Sequence, residues 1–194
     1  MGFISGLMSF FQSPPNLIEI LKDSQTSLEQ LQSAIEMGAN VNACEHGNTP
    51  LMVAVALNNP NHEIIAALIR SGASVNSVNI DGLSVLMLAA GASPNAKIVE
   101  ILVKAGANAN ASTRSGLTAL MCAAMKSSNP ETIDVLVRAG ANVNARGQGG
   151  CTALMLAVSN ASNSQIIRGH DTKRKFTYAK EFLSHGNQLS ERMY

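Results

Sequence analysis

Two short patterns return along this chain at a nearly constant interval, and that interval restricts the fold more than any composition figure does. Gly-x-Thr/Ser-x-Leu-Met opens at Gly47 (GNTPLM), Gly82 (GLSVLM), Gly116 (GLTALM) and Gly150 (GCTALM), at spacings of 35, 34 and 34 residues. A second pattern closes each unit every 34 residues: GANVN at Gly38, GASVN at Gly72, GANAN at Gly106 and GANVN at Gly140. Self-similarity at such a period marks a stacked repeat array. The best-formed unit, residues 116–144, predicts two short helices. Leu120 and Ala123 fall on one side of the first, and Ile133, Leu136 and Val137 form an i, i+3, i+4 stripe on the second. The same frame recurs as Leu51, Ala54, Ile65, Leu68 and Ile69, then as Leu86, Ala89, Val99, Leu102 and Val103. Ser128-Asn129-Pro130-Glu131 is a helix-start signal, and Gly140 is a helix terminator. Neither helix of such a pair can bury its apolar face alone, so neighbouring units must stack into one continuous core.

These units resemble the ankyrin repeat. Thr49-Pro50-Leu51, Ala89-Ala90, Ala123-Ala124 and the four Gly-Ala-Asn/Ser-x-Asn endings carry the resemblance, which spans about Leu17 to Leu189. It implies an all-α solenoid of about five stacked helix-turn-helix repeats joined by hairpin-like loops. The chain departs from the family in three ways. Met52, Met87, Met121 and Met155 stand where the signature His belongs; the helix-to-helix loops are a little longer and carry Pro60, Pro94 and Pro130; and the last repeat holds an insert. A thioether is only a weak acceptor, so the four Met side chains are expected to replace hydrogen bonding by packing.

Taken in order, residues 1–15 form an apolar segment, 16–42 a degenerate capping repeat, 45–144 three regular repeats, and 147–189 a last repeat with an insert at about 161–173. The 194 residues suit one elongated domain, and Ala, Leu and Val with only 4% aromatic residues suit closely packed helix pairs. Residues 1–13 carry no charge and hold three of the five Phe. They lack the basic start and cleavage site of a secretory signal, and Gly6 breaks the myristoylation pattern. They are expected to pack over the first repeat. A net charge of +1 gives no electrostatic case for nucleic acid, and no apolar run approaches the roughly 18 residues of a membrane span. Three Cys without paired spacing favour free thiols in a reducing compartment. The resulting expectation is cytoplasmic, or delivery into a host cytoplasm if the chain is a secreted effector.

No catalytic constellation emerges. Cys44 and His46 lack a second pair at ligand spacing, His170-Asp171 lacks a third partner, and Gly147-Gln148-Gly149-Gly150 lacks the Lys-Ser/Thr of a phosphate loop. Cys122 reads as a small buried hydrophobe. The chain therefore reads as no enzyme, with no cofactor and no metal. Arg168, Lys173, Arg174, Lys175 and Lys180, interleaved with Phe176 and Tyr178, read as a solvated last helix.

The resemblance implies that partners bind to the hairpin tips and the inner helices. Carried over position by position, it selects a set that includes Glu45 and His46 and centres on Leu57, Val78, Ile80, Asp81, Leu83, Arg114, Leu117, Met125, Lys126, Arg146 and Gln148. The middle of that set is apolar and its edge is charged, as at an interaction site. Leu83 and Leu117 are expected to tuck partly between hairpins. The function expected is that of a monomeric scaffold gripping another protein or peptide by largely apolar contact. The alternative is a membrane-associated adaptor or secreted effector that uses the Phe-rich N-terminus or the basic last helix.

Overall fold

A computed structural model describes residues 14–23, 26–57, 60–92, 95–126 and 130–157. Residues 1–13 of the predicted N-terminal segment, the insert and the second helix of the last repeat lie outside them, as do the helix-start residues Ser128 and Asn129. Eight α-helices are named among the described residues: α1 (Leu17–Lys22), α2 (Leu28–Glu36), α3 (Pro50–Ala56), α4 (His62–Arg70), α5 (Val85–Ala92), α6 (Ala96–Lys104), α7 (Ala119–Lys126) and α8 (Pro130–Arg138). Residues 153–157 are also helical. Successive helices pair. The inner members α1, α3, α5 and α7 stack on one another, and the outer members α2, α4, α6 and α8 stack alongside them. No strand is present among the described residues; the loops between repeats carry only single bridges.

Each signature residue has a local task. In the opening pattern, the Thr or Ser hydroxyl caps the inner helix by accepting the main-chain N–H of the Met three residues later. The distances are 3.4 Å for Thr49–Met52, 3.2 Å for Ser84–Met87, 3.3 Å for Thr118–Met121 and 3.4 Å for Thr152–Met155. Outer helices start on Asn caps: the Asn61 and Asn95 side chains accept from Glu63 N–H at 2.8 Å and Lys97 N–H at 3.0 Å. Pro130, part of the helix-start signal in the sequence, is the first residue of α8, where its missing N–H costs nothing. Ser27 and Gln30 form a reciprocal capping box at α2.

In the closing pattern, Gly140 takes φ +81° just beyond α8, and the Ala141 N–H reaches back to Leu136 O at 3.0 Å. The next Asn closes a turn: Asn142 Oδ1 accepts the Asn144 N–H at 3.0 Å. The last Asn of the pattern crosses to the following repeat. Asn42 Nδ2 donates to Gly72 O at 3.0 Å while its Oδ1 accepts the Ser74 N–H at 2.8 Å. Asn76 bonds Gly106 O and Asn108 N–H at 3.0 and 2.8 Å, and Asn110 bonds Gly140 O and Asn142 N–H at 2.8 and 2.7 Å. One asparagine ladder thus ties four repeats together.

The core is one cluster running through the stack, centred on Leu31, Leu51, Ile65, Leu86, Leu102, Leu120 and Leu136. Small residues bring inner helices close: the gap at Gly91 of α5 is such that an added Cβ would sit 3.6 Å from Cys122 Cβ on α7. Met52, Met87 and Met121 are buried to within 2% of complete. The Met121 sulfur lies against the next loop, 3.2 Å from where a Cβ on Gly147 would stand. Met155 departs from the expected packing and is 56% exposed. The three buried Met are each followed by another described repeat, whereas no described repeat stacks beyond residues 153–157.

Thr132 is a second irregularity. It is fully buried on α8 at the position held by Ile64 and Ile98 in the two preceding outer helices, and its hydroxyl has no hydrogen-bond partner. Thr132→Val keeps the shape and removes the unsatisfied group, so it should raise stability by about 1–3 kcal/mol in chemical denaturation. Met121→Ala should cost about 2–5 kcal/mol, as for a fully buried side chain, whereas Met155→Ala should change stability by less than about 1 kcal/mol. Equal effects of the two Met substitutions would contradict the burial difference.

Candidate functional site

The loops that link the repeats are hairpins of two lengths. In the first, Glu45 and Asn48 exchange both main-chain hydrogen bonds at 3.0 and 2.9 Å, which leaves only His46 and Gly47 at the tip, with φ +50° and +81°. Positive φ at both central residues is the requirement of a tight two-residue hairpin turn. The next three are wider. Asn79 N–H bonds Leu83 O at 3.0 Å, Thr113 N–H bonds Leu117 O at 3.0 Å, and Gly147 N–H bonds Cys151 O at 2.8 Å. The first hairpin is therefore one residue shorter, which explains why the opening pattern is spaced 35 residues once and 34 thereafter. Side chains hold the wider tips: Asn79 Oδ1 accepts from Asp81 N–H at 3.0 Å and Leu83 N–H at 2.9 Å, and Thr113 Oγ1 accepts from Leu117 N–H at 3.1 Å.

The hairpins stack on one another. A Cβ added to Gly116 would lie 2.8 Å from Arg146 O and 3.0 Å from Gly147 Cα in the next hairpin. Ile80 folds its Cγ2 over Gly47 so closely that a Cβ there would come within 2.3 Å, yet Ile80 as a whole remains 81% exposed. The short first hairpin leaves the space that this side chain overhangs.

Placed on this frame, the residues selected from sequence separate into three groups. Val78, 60% exposed, and Ile80 stand out from the second hairpin; Asp81, Arg114, Arg146 and Gln148 are exposed on the second, third and fourth. Leu83 and Leu117 are half-buried and pack against the core. Leu57, just beyond α3, and Met125 on α7 are half-buried at the inner-helix edge. Lys126 ends α7, and its side chain lies outside the described residues, as do the Phe-rich N-terminus and the basic cluster 168–180.

A polar cluster that the sequence reading did not single out joins the first repeat to the first hairpin. Lys22 Nζ lies 2.6 Å from Glu19 Oε1 and 3.5 Å from Glu45 Oε1, and Asn16 Nδ2 donates to Glu45 Oε2 at 3.4 Å. The hydrogen bond to Glu19, aided by both carboxylate charges, raises the Lys22 ammonium above its ordinary pKa. The Glu19–Lys22 part is an i, i+3 pair readable in sequence; the link to Glu45 exists only in the fold. Between the third and fourth hairpins lies a cleft of about 320 Å³, lined by Ser112, Thr118, Asn142, Ala145 and Arg146. Among the described residues no three His, Cys, Asp or Glu side chains gather as a metal site, and no helix is long and apolar enough to cross a membrane.

A family model for ankyrin repeats, described as three copies, matches residues 55–147 and 86–169, more than half of the chain. This chain belongs to the ankyrin repeat family. No curated protein matches it. Ankyrin repeats are in general protein–protein interaction modules and typically scaffolds rather than enzymes. In this ankyrin chain the tips of the hairpins are what vary from repeat to repeat, while the glycines beneath them are constrained. Gly116→Ala meets both a positive φ of +77° and fixed backbone of the next hairpin, whereas Gly106→Ala meets a φ of +89° with nothing within 4 Å. Gly106→Ala should then cost about 1–2 kcal/mol and Gly116→Ala distinctly more, measured as the difference in unfolding free energy.

Proposed function

We propose that this chain is a non-enzymatic scaffold that binds another protein through its hairpin face, with Ile80 and Val78 as apolar anchors. The exposure of these two side chains carries the reading. Four large hydrophobic residues are exposed among the described residues: Met37, Val78, Ile80 and Met155. Only Val78 and Ile80 share one element, and they project from a hairpin held rigid by Asn79. Burying an exposed Ile or Val side chain on binding is worth about 1.5–3 kcal/mol, enough for an anchor when a rigid tip presents it. Leu83, Leu117, Leu57 and Met125 extend the apolar surface at half-buried depth. Exposed Asp81, Arg114, Arg146 and Gln148 make its rim, the arrangement of apolar centre and polar border found at specific interfaces.

Ile80→Asp and Met125→Asp should each abolish capture of the partner that the wild-type protein retains, and Ile80→Asp, at a surface site, should change stability by less than about 1 kcal/mol. Affinity capture and thermal denaturation of the same preparations check this. Unfolding by Ile80→Asp would make that residue structural, and normal capture by both variants would place the interface elsewhere.

A further inference from the structure

The hairpin face carries its charges in an order. At the first repeat, Glu19 and Glu45 share the single ammonium of Lys22, which leaves that trio one negative charge in excess. The second hairpin adds exposed Asp81, beside Ile80. The third and fourth hairpins carry exposed Arg114 and Arg146, and neither forms an ion pair among the described residues. Arg146 also lines the cleft between them, where an incoming carboxylate has room. Along the row of tips the sequence of character is acidic, acidic and apolar, basic, basic. We propose that the occupant of this face is a protein segment with an apolar centre, an acidic end that lies over Arg114 and Arg146, and a basic end that lies toward Glu45 and Asp81. This rests on the hairpin face being the interface, and adds to it the chemistry and direction of the partner.

Packed helices lie about 8–10 Å apart, so the first and fourth hairpins stand on the order of 30 Å apart. A helical segment of about 20 residues covers that distance. Exposed rim charges act mainly on orientation and on the rate of encounter, and salt screens them. The apolar centre, held by Ile80 and Val78, gives the grip, and the charge order selects one of the two directions in which an amphipathic segment can lie.

The test uses the full chain and synthetic probes: a fluorescent peptide of about 20 residues, long enough to span the face as a helix, with Leu and Phe at its centre, Glu at one end and Lys at the other; and an uncharged peptide with the same centre. A photo-crosslinking group is placed at either end. Crosslinks from the Glu end should fall in 112–118 and 145–151, and those from the Lys end in 44–48. Arg114→Glu with Arg146→Glu should weaken the charged probe about tenfold at low salt, with little effect at about 1 M salt and little effect on the uncharged probe. A probe with Lys at both ends should recover affinity for the double variant. Reversed or evenly spread crosslinks, or unchanged affinity in the double variant, would overturn the polarity. Ile80→Asp separates the two levels. If it abolishes binding of both probes while the double Arg variant binds as wild type does, the face is the interface and only its polarity fails. If it leaves binding of both probes intact, the interface reading itself fails. No measurable binding of either probe by the wild-type protein would also overturn the proposal.

Discussion

Each of the asparagines 42, 76 and 110 reaches out of its own repeat and takes hold of two main-chain groups in the next, a carbonyl 30 residues on and an N–H 32 residues on. The stack depends on what this contact keeps in register. The helices are only six to nine residues long, and isolated helices of that length are marginal in water. Their stability comes from burial, and Leu51, Leu86 and Leu120 are buried because inner helices lie on both sides of each or on one side with the outer helix behind. A typical hydrogen bond contributes about 1 kcal/mol net, far less than the apolar burial it accompanies. The contribution of the ladder is geometric: it sets the same offset at three junctions, although the hairpins between them differ in length.

That division leaves the side chains that project from the hairpin tips free to differ. The residues that hold the architecture sit beneath the tips: Gly at the turn, Thr or Ser at the helix cap, Asn at the ladder. What stands above them is His46 on one hairpin, Ile80 and Asp81 on the next, and Arg114 on the third. Their variation has little structural consequence, since the main-chain bonds of the second and third hairpins match although Ile80 and Asp81 project from one and Arg114 from the other. A rigid base with interchangeable tips is the physical basis on which a repeat stack carries specificity, and here it displays two aliphatic side chains between charges of opposite sign.

The Met residues show how far packing substitutes for polar contact. Three of the four fill the core completely, and the main-chain N–H of every one is satisfied by a Thr or Ser hydroxyl rather than by anything the Met side chain does. Buried Thr132 is the opposite case, a polar group in an aliphatic position without a partner.

By itself the sequence determined the repeat and its helix pairs, because apolar stripes at helical spacing within a 34-residue period need a stacked neighbour to bury their faces, and the signature residues carried the resemblance to the family. The core positions Leu51, Leu86, Leu120 and Leu136 were legible for the same reason: they recur in phase. The exposed tip residues were legible only as positions, since a hairpin tip has no periodic signal to say whether a side chain stands free or folds back. Leu83 and Leu117 were expected to tuck in and are half-buried against the core, whereas tertiary structure alone decided that Ile80 overhangs Gly47 and stays exposed. It alone linked Lys22 to Glu45 across 23 residues, and it alone left Met155 open where its three counterparts are covered. These depend on which surfaces of neighbouring repeats meet, and that is set by stacking distance and by the difference in length between adjacent hairpins, neither of which any single repeat encodes.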